Sequence, residues 1–335
     1  MEHEFVRCPY EHTLYVKTNQ HGEVVIVCLY VDDLIITGSN TKLIAEFREA
    51  LTTQFEMTDM GLMSYFLGLE VMQTEQGIFV SQSKYARDVL RRFKMEHCNP
   101  ILTPVQERLK LEKDGAGELV NPTHYKKLVG SLRYLCSTRP DITYGVGLIS
   151  KFMESPRQSH FTAAKRILKY IKGTQGDGIF YSANVPIELV GYTDSDWGGD
   201  MEDARSTSGY AFHMGSGVFS WSSKKQQVVT LSTAEAEYTA ATSCATQAVW
   251  LRRMLSFLQQ NPKFPTKIFC DNKASIALSK NPVFHGRTKH IHVKFHYIRD
   301  LVNEKQVEIQ FCRSKDQAAD IFTKPLKADV KISAT

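Results

Sequence analysis

From about residue 186 the chain runs through an element order that few architectures can satisfy. Three apolar runs, "IELVGYTDSDW", "SGYAFHMG" and "GVFSWSS", are separated by short turns and read as successive strands. A long helix follows over "TAEAEYTAATSCATQAVWLRRMLSFL", opened by "STAE", in which Ser232 and Glu235 have capping-box spacing. Then come a strand in "KIFCD", a helix in "NKASIALSK", a His-rich stretch compatible with helix, a strand in "VEIQFC" and a last helix from Asp316. The order β-β-β-α-β-α-(α)-β-α predicts a mixed sheet with helices, an α/β layered domain.

Several carboxylates of this region stand out. Asp194 and Asp196 share one face of the first strand, because strand side chains alternate with period two, and alternation does not choose between them. Asp271 directly follows "IFC", and Asp320 sits in the last predicted helix, in "AADIFTK". On the long helix Glu237 shares a face with Ala240, Ala241, Cys244, Ala245 and Ala248, small residues that let a helix sit close on a sheet. Glu235 instead faces Tyr238, Thr239 and Thr242 and is occupied as a cap. Glu237 is therefore the inward carboxylate, and a buried unpaired acid is costly enough to require a function. Acids converging from strand ends and a helix are what two hard divalent cations about 4 Å apart need. Such a pair serves in-line phosphoryl displacement. The alternative is separate surface acids that cap helices or pair with Lys; it suits any one of these residues better than all four together.

The first part of the chain carries a different pair. In "VCLYVDDLII" two adjacent carboxylates, Asp32 and Asp33, interrupt apolar runs that read as a hairpin. Inside a buried strand they would be expensive unless neutralised. Helical spacing follows in "KLIAEFREALTTQF", a second strand pair in "YFLGLEVMQ" and "GIFVSQ", and a helix in "SKYARDVLRRF". The stretch "NPILTPVQERLKLEKDGAGELVNP", rich in Pro, Gly and charge, reads as a linker. Beyond it "YKKLVGSLRYLCSTRP" and "DITYGVGLISKFM" read as helices flanking Pro140. "HFTAAKRILKYIKG" puts Phe161, Ile167, Leu168 and Ile171 on one face, with Gly173 placed to cap it. Its Lys165, Arg166, Lys169 and Lys172 suit either a phosphate backbone or a solvated face.

Composition bounds the setting. The 335 residues suffice for two to three domains, and 42% apolar with 23% charged residues is ordinary for a globular chain. A formal charge of +5 permits a polyanionic partner without predicting one. Seven cysteines scattered without a C-x-x-C pair suit a reducing compartment. No apolar stretch approaches the roughly 20 residues of a membrane span, and the N-terminus lacks the apolar core of a signal peptide. A soluble, intracellular protein is expected.

Other candidates are weaker. His292 and His296 would share a helical face at a spacing zinc sites use, with His285 and His290 nearby. No Cys or second pair completes the set, and Arg287, Lys289 and Lys294 favour a polar, nucleic-acid-facing segment. Trp197, Trp221, Trp250, Tyr192 and Tyr210 suit base stacking or core packing.

"YVDD", "YFLGLEV", "KLVGSLRYL", "TRPDI", "AAKRILKYIKGT", "GYTDSDWGGD", "STSGY", "LSTAEAEY", "CDNKASI", "TKHI" and "QAADIFTKPL" occur in this order over almost the whole chain. Together they resemble the Pol polyprotein of copia-type LTR retrotransposons, especially those of plants. The resemblance implies an α/β fold: the C-terminal part of a reverse-transcriptase palm over 1–105, a linker with a helical thumb or connection over 106–185, a ribonuclease H-like five-stranded domain over 186–327 and a tail over 328–335. It implies Asp194, Glu237, Asp271 and Asp320 as the ribonuclease H acids, choosing Asp194 over Asp196, with Mg²⁺ or Mn²⁺ as cofactor and an RNA–DNA hybrid as partner. Other Pol segments are possible partners, and the cytoplasm (in a virus-like particle) or the nucleus the compartment. Asp32 and Asp33 would be part of the polymerase metal site, with Asp32 a ligand. Polymerisation needs a further Asp on an upstream strand, and residues 1–31 contain none; the expectation is a Pol fragment that does not polymerise alone. The loop histidine of some cellular ribonucleases H is replaced here by Arg313, Ser314 and Lys315. The enzymatic expectation is ribonuclease H activity. The non-enzymatic one is a domesticated or decayed remnant that folds and binds nucleic acid.

Overall fold

The computed structural model describes residues 5–280 and 297–325. The backbone divides into two units, Met1–Ser64 with Gln247–Phe264, and Tyr65–Thr246 with Pro265–Thr335. The histidines at 285, 290, 292 and 296 lie outside the described residues.

In the first unit β1 (Val6–Arg7), β2 (Leu14–Thr18), β3 (Val24–Tyr30) and β4 (Asp33–Gly38) form an antiparallel meander in chain order. Every second residue is buried: Leu14 and Val16 on β2, Val25 and Val27 on β3. The register sets Val16 opposite Ile26 and Tyr15 opposite Val27, so the two buried sets lie on opposite faces. α1 (Thr41–Gln54) starts at Asn40, whose side chain accepts from the N–H groups of Lys42 and Leu43 at 2.8 and 3.4 Å.

The second unit begins with a sheet of β5 (Tyr65–Phe66), β6 (Leu69–Thr74) and β7 (Gly77–Ser81), closed by β8 (Gly178–Ser182), which pairs antiparallel with β7. Beside it are α2 (Ser83–Arg92), α3 (Pro122–Leu135), α4 (Thr143–Ser150) and α5 (Gln158–Gly173). Val89, Leu90, Leu128, Leu132, Ile149, Ile167, Leu168 and Ile171 meet in one core. Each such side chain contributes about 1.5–3 kcal/mol when fully buried. On α5 the inward face is His160, Ala163, Ala164, Ile167, Leu168 and Ile171. Phe161 is only half-buried, and the cap falls on Thr174 rather than Gly173. The basic face is partly engaged: Arg166 donates to Thr103 Oγ1 at 2.8 Å, and Lys165 Nζ stands 4.5 Å from the Phe161 ring centre.

The "TRPDI" run has a structural use. Arg139, 4% exposed, donates from Nε and Nη2 to the two oxygens of Asp141 at 3.0 and 2.6 Å. The same guanidinium donates to the carbonyl and hydroxyl of Thr174, both at 2.7 Å, which satisfies the end of α5.

The stretch read as a linker is bound down along the start of α5. Val120 N–H donates to the Pro156 carbonyl at 2.8 Å, Gln158 N–H to Glu118 at 3.0 Å and Ser159 N–H to Ala116 at 3.1 Å. His160 locks this strap. It is fully buried, stacks on Phe152 with ring centres 3.9 Å apart, and sits 2.8 Å through Nε2 from the Glu112 carbonyl. A carbonyl can only accept, so Nε2 carries the hydrogen and Nδ1 accepts the Arg157 N–H at 3.0 Å. Protonation would break the second bond, and burial holds the imidazole below its ordinary value of 6.5. The unfolded chain therefore takes up the proton first, and stability is lost as pH falls through and below 6.5. His160→Gln should flatten that step, measured as thermal unfolding at acid and neutral pH; an unchanged acid-side slope in the variant refutes the assignment.

Further elements are β9 (Leu189–Ser195), β10 (Thr207–Met214), β11 (Gly217–Lys225), α6 (Thr233–Phe257), β12 (Thr266–Cys270), α7 (Lys273–Lys280), helical residues over 297–303, and β13 (Val307–Phe311). Their sheet has the order β11-β10-β9-β12-β13. β9, β10 and β11 are antiparallel, while β12 runs parallel to both β9 and β13. This is the mixed five-stranded α/β sheet that the element order predicts. On α6, Ala240, Ala241, Cys244, Ala245 and Ala248 are all buried.

The predicted last helix is instead two 3₁₀ turns, Ser314–Asp316 and Ala318–Phe322. Gln317 separates them in extended conformation, its side chain accepting the Ala319 N–H at 3.2 Å and donating to the Thr193 carbonyl at 2.9 Å. That anchorage to β9 interrupts the helix, and Pro325 follows closely. Among the described residues no helix is long and apolar enough to cross a membrane.

Candidate metal centre

The four acids chosen from the sequence come from four elements of the second unit. Asp194, 5% exposed, lies on β9 directly opposite Gly209 of β10. A Cβ at Gly209 would stand 2.7 Å from Phe322 Cβ and 2.9 Å from Thr323 Cγ2. Glycine there lets the Ala318–Phe322 turn close against the sheet. As a result the Thr323 hydroxyl donates to Asp194 Oδ2.

Asp320 of that turn pairs with Lys324 at 2.8 Å through one oxygen, while its Oδ1 is buried without a hydrogen-bond partner. Burial raises the Asp320 carboxyl to about 6; Lys324 opposes the rise, and the charges of Asp194 and Asp271 add to it. Glu237, in the first turns of α6, is 6% exposed. Burial, then the charges of Asp194 and Asp271, push it from its ordinary 4.5 to about 9. Asp271 follows β12 and accepts from Ser314 Oγ at 2.8 Å. Each of Glu237, Cys270 and Asp271 offers a ligand atom within 4.8 Å of the other two.

The donor set suits a divalent cation. Carboxylate oxygens are the ligands hard cations take. Here burial and the charges of Asp194 and Asp271 raise the carboxyls of Glu237 and Asp320, and one buried oxygen of Asp320 lacks a partner. A cation among them would relieve the repulsion that burial intensifies.

Other sequence candidates are placed elsewhere. Asp196 accepts the Thr207 N–H at 2.6 Å and holds its loop. Glu235 caps α6, accepting the Leu231 N–H at 2.7 Å, while Ser232 Oγ accepts the Glu235 N–H at 3.2 Å. Trp197 is exposed, with its indole N–H donating to the Thr230 carbonyl at 3.2 Å. Trp221 packs beside Ala211 and Phe322, and the Trp250 N–H donates to the Tyr10 carbonyl at 3.3 Å. Tyr192 and Tyr210 make edge contacts with His213 and Phe212.

In the first unit Asp32 and Asp33 occupy the tip of the β3–β4 hairpin, where Tyr30 pairs with Asp33. Both are exposed, so the cost expected for a buried pair does not arise. The turn sets Val31 at φ 54°, a left-handed conformation that a β-branched residue adopts only under strain.

Sequence reasoning passed over Gly209, Thr323 and Cys270, and named Ser314 only as a loop residue. An isolated glycine within the strand run "SGYAF" signals a close backbone approach. Nothing comparable marks Thr323 or Cys270.

The description "Reverse transcriptase (RNA-dependent DNA polymerase)" belongs to a family model that matches residues 1–107. The chain is 39% identical over 320 residues to the "Retrovirus-related Pol polyprotein from transposon TNT 1-94" of Nicotiana tabacum, covering 93% of this chain and 24% of that protein. It is 39% identical over 323 residues to the corresponding polyprotein from transposon RE1 of Arabidopsis thaliana, covering 96% and 22%. The chain thus spans about a quarter of the length of these curated relatives. An uncharacterised mitochondrial protein of Arabidopsis thaliana is 36% identical over 222 residues, 66% of this chain and 92% of that protein. Among solved structures, an LC11-RNase H1 in complex with RNA/DNA hybrid matches with TM-score 0.31 at 14% identity, over 41% of this chain and 94% of that one. A foamy viral protease-reverse transcriptase in complex with dsDNA matches with TM-score 0.45 at 10% identity, over 86% and 55%. Likeness at that level carries no functional argument.

Proposed function

The chain belongs to the copia-type retrotransposon Pol family, and from that premise we propose that its own chemistry is metal-dependent hydrolysis of the RNA strand of RNA–DNA hybrids. The observation that carries this reading is the gathering of Asp194, Glu237, Asp271 and Asp320 at the ends of the inner strands β9 and β12, where burial and the charges of Asp194 and Asp271 raise the carboxyls of Glu237 and Asp320.

These four residues would hold Mg²⁺ or Mn²⁺. When bound, the metal supplies a polarised phosphoryl oxygen and a water acidic enough to attack. The chain's part is positional. Thr323 and Ser314 orient Asp194 and Asp271 through hydroxyl hydrogen bonds. Lys324 holds one oxygen of Asp320 and leaves the other directed inward. Burial and the charges of Asp194 and Asp271 raise Glu237 to about 9, so this carboxyl would release its proton where a cation bound.

Polymerisation is not assigned to these residues. Asp32 and Asp33 mark the polymerase hairpin, and Asp32 is proposed as a ligand only within a larger set of carboxylates.

The test is direct. The purified chain is incubated with an end-labelled RNA–DNA hybrid, with Mg²⁺, with Mn²⁺ and with a chelator. Cutting confined to the RNA strand and abolished by the chelator is expected. Folded chain that binds the hybrid but leaves the RNA intact at every metal concentration would favour the second reading, a nucleic-acid-binding remnant.

A further inference from the structure

The third donor beside Glu237 and Asp271 is a sulfur. Cys270 ends β12, is fully buried, and places Sγ 4.0 Å from Glu237 Oε2. Its other contacts are weak: Sγ lies 3.9 Å from the Asn272 carbonyl and accepts the Asn272 N–H at 3.5 Å. Hard cations prefer oxygen, so phosphoryl hydrolysis with Mg²⁺ makes no use of this thiol. A softer cation would. Zinc binds thiolate at about 2.3 Å and carboxylate at about 2.0–2.2 Å in tetrahedral sites. Such donors stand roughly 3.5 Å apart, so the 4.0 Å separation needs only about half an ångström of contraction.

We propose that Cys270, Glu237 and Asp271 form a site for a thiophilic divalent cation of the zinc or cadmium class, which displaces the hard cation and blocks the acid cluster. Binding exchanges water on the incoming ion for the sulfur and the two carboxylates. The thiol proton passes to solvent as the metal–sulfur bond forms, and no electrons are transferred. The inference rests on reading these acids as a metal centre, yet it concerns selectivity and needs no turnover to be seen.

Co²⁺ and Cd²⁺, titrated separately into the folded full chain, report a bound thiolate through sulfur-to-metal charge-transfer absorption. A saturable band is expected, lost in Cys270→Ser and kept in Cys312→Ser, whose backbone N–H bonds the Cys270 carbonyl at 3.1 Å. With Cys270 intact, Glu237→Gln should weaken cobalt binding by about tenfold or more, which tests the shared site without altering the thiol. Cd²⁺ should also inhibit Mg²⁺-supported cutting, with about tenfold less potency against Cys270→Ser. No band in the wild-type chain, a band that persists in Cys270→Ser, or unchanged cobalt affinity in Glu237→Gln would each overturn the proposal. A band from a chain that cuts no hybrid would keep the cation site and remove the hydrolase. Cutting without any band would do the reverse.

Discussion

Asp194→Asn should lower metal-dependent cutting of an RNA–DNA hybrid by about 10²–10³-fold or more, the scale on which removal of one preorganised charge-stabilising group acts. The fold should survive. An Asn carbonyl at 194 can still accept from the Thr323 hydroxyl, and one of several mutually repelling charges is gone. Glu237→Gln should be as damaging to cutting but should act differently on stability. Burial and two anionic neighbours lift Glu237 to about 9, so the metal-free folded chain keeps a proton that the unfolded chain releases near 4.5. Its stabilising contribution is therefore full below 4.5 and is lost as pH rises through about 9. Gln, which resembles the protonated acid, should remove that decline. Cleavage rates together with unfolding curves between pH 5 and 9 check both halves. Retention of cutting within about tenfold in either variant would remove the acids from the mechanism.

The second large effect is one of stability. Arg139→Met should destabilise the second unit by about 3–5 kcal/mol, because it strips a buried charge network of its centre. Asp141, 12% exposed by side chain, would keep its charge with no guanidinium, and the carbonyl ending α5 would lose its donor. Replacing Arg139 and Asp141 together by apolar residues should cost markedly less, since no lone charge is left behind. Urea unfolding of the single and double variants measures this. A double variant as unstable as Arg139→Met would show that the Thr174 bonds matter more than the ion pair.

Patterns with a strict period were legible in the sequence. The alternation in "IELVGYTDSDW" gave β9, and the Ala and Cys stripe on α6 identified Glu237 as inward before any fold was known. What sequence order hides is pairing at a distance. The short run "GIFYS" carries no signal of its partner, because β8 pairs with β7 some hundred positions earlier. The run after Asp316 has helical composition, yet Gln317 bonds to β9 and breaks it into 3₁₀ turns. The "linker" residues are polar and irregular, but their backbone groups find partners along α5. The site followed the same rule. Its acids could be named singly, whereas the thiol among them and the glycine that admits Thr323 show only in three dimensions.

Gly209 has a consequence for the order of events in folding. The clasp it permits joins Asp194 to Thr323 across 129 positions, a long loop whose closure entropy must be met before the contact forms. Strand pairing among β9, β10 and β11 is local by comparison and needs no such closure. By this argument the acid cluster should be completed only after the local pairing of β9, β10 and β11. In a refolding chain the competence to bind a cation should be among the last properties to reappear.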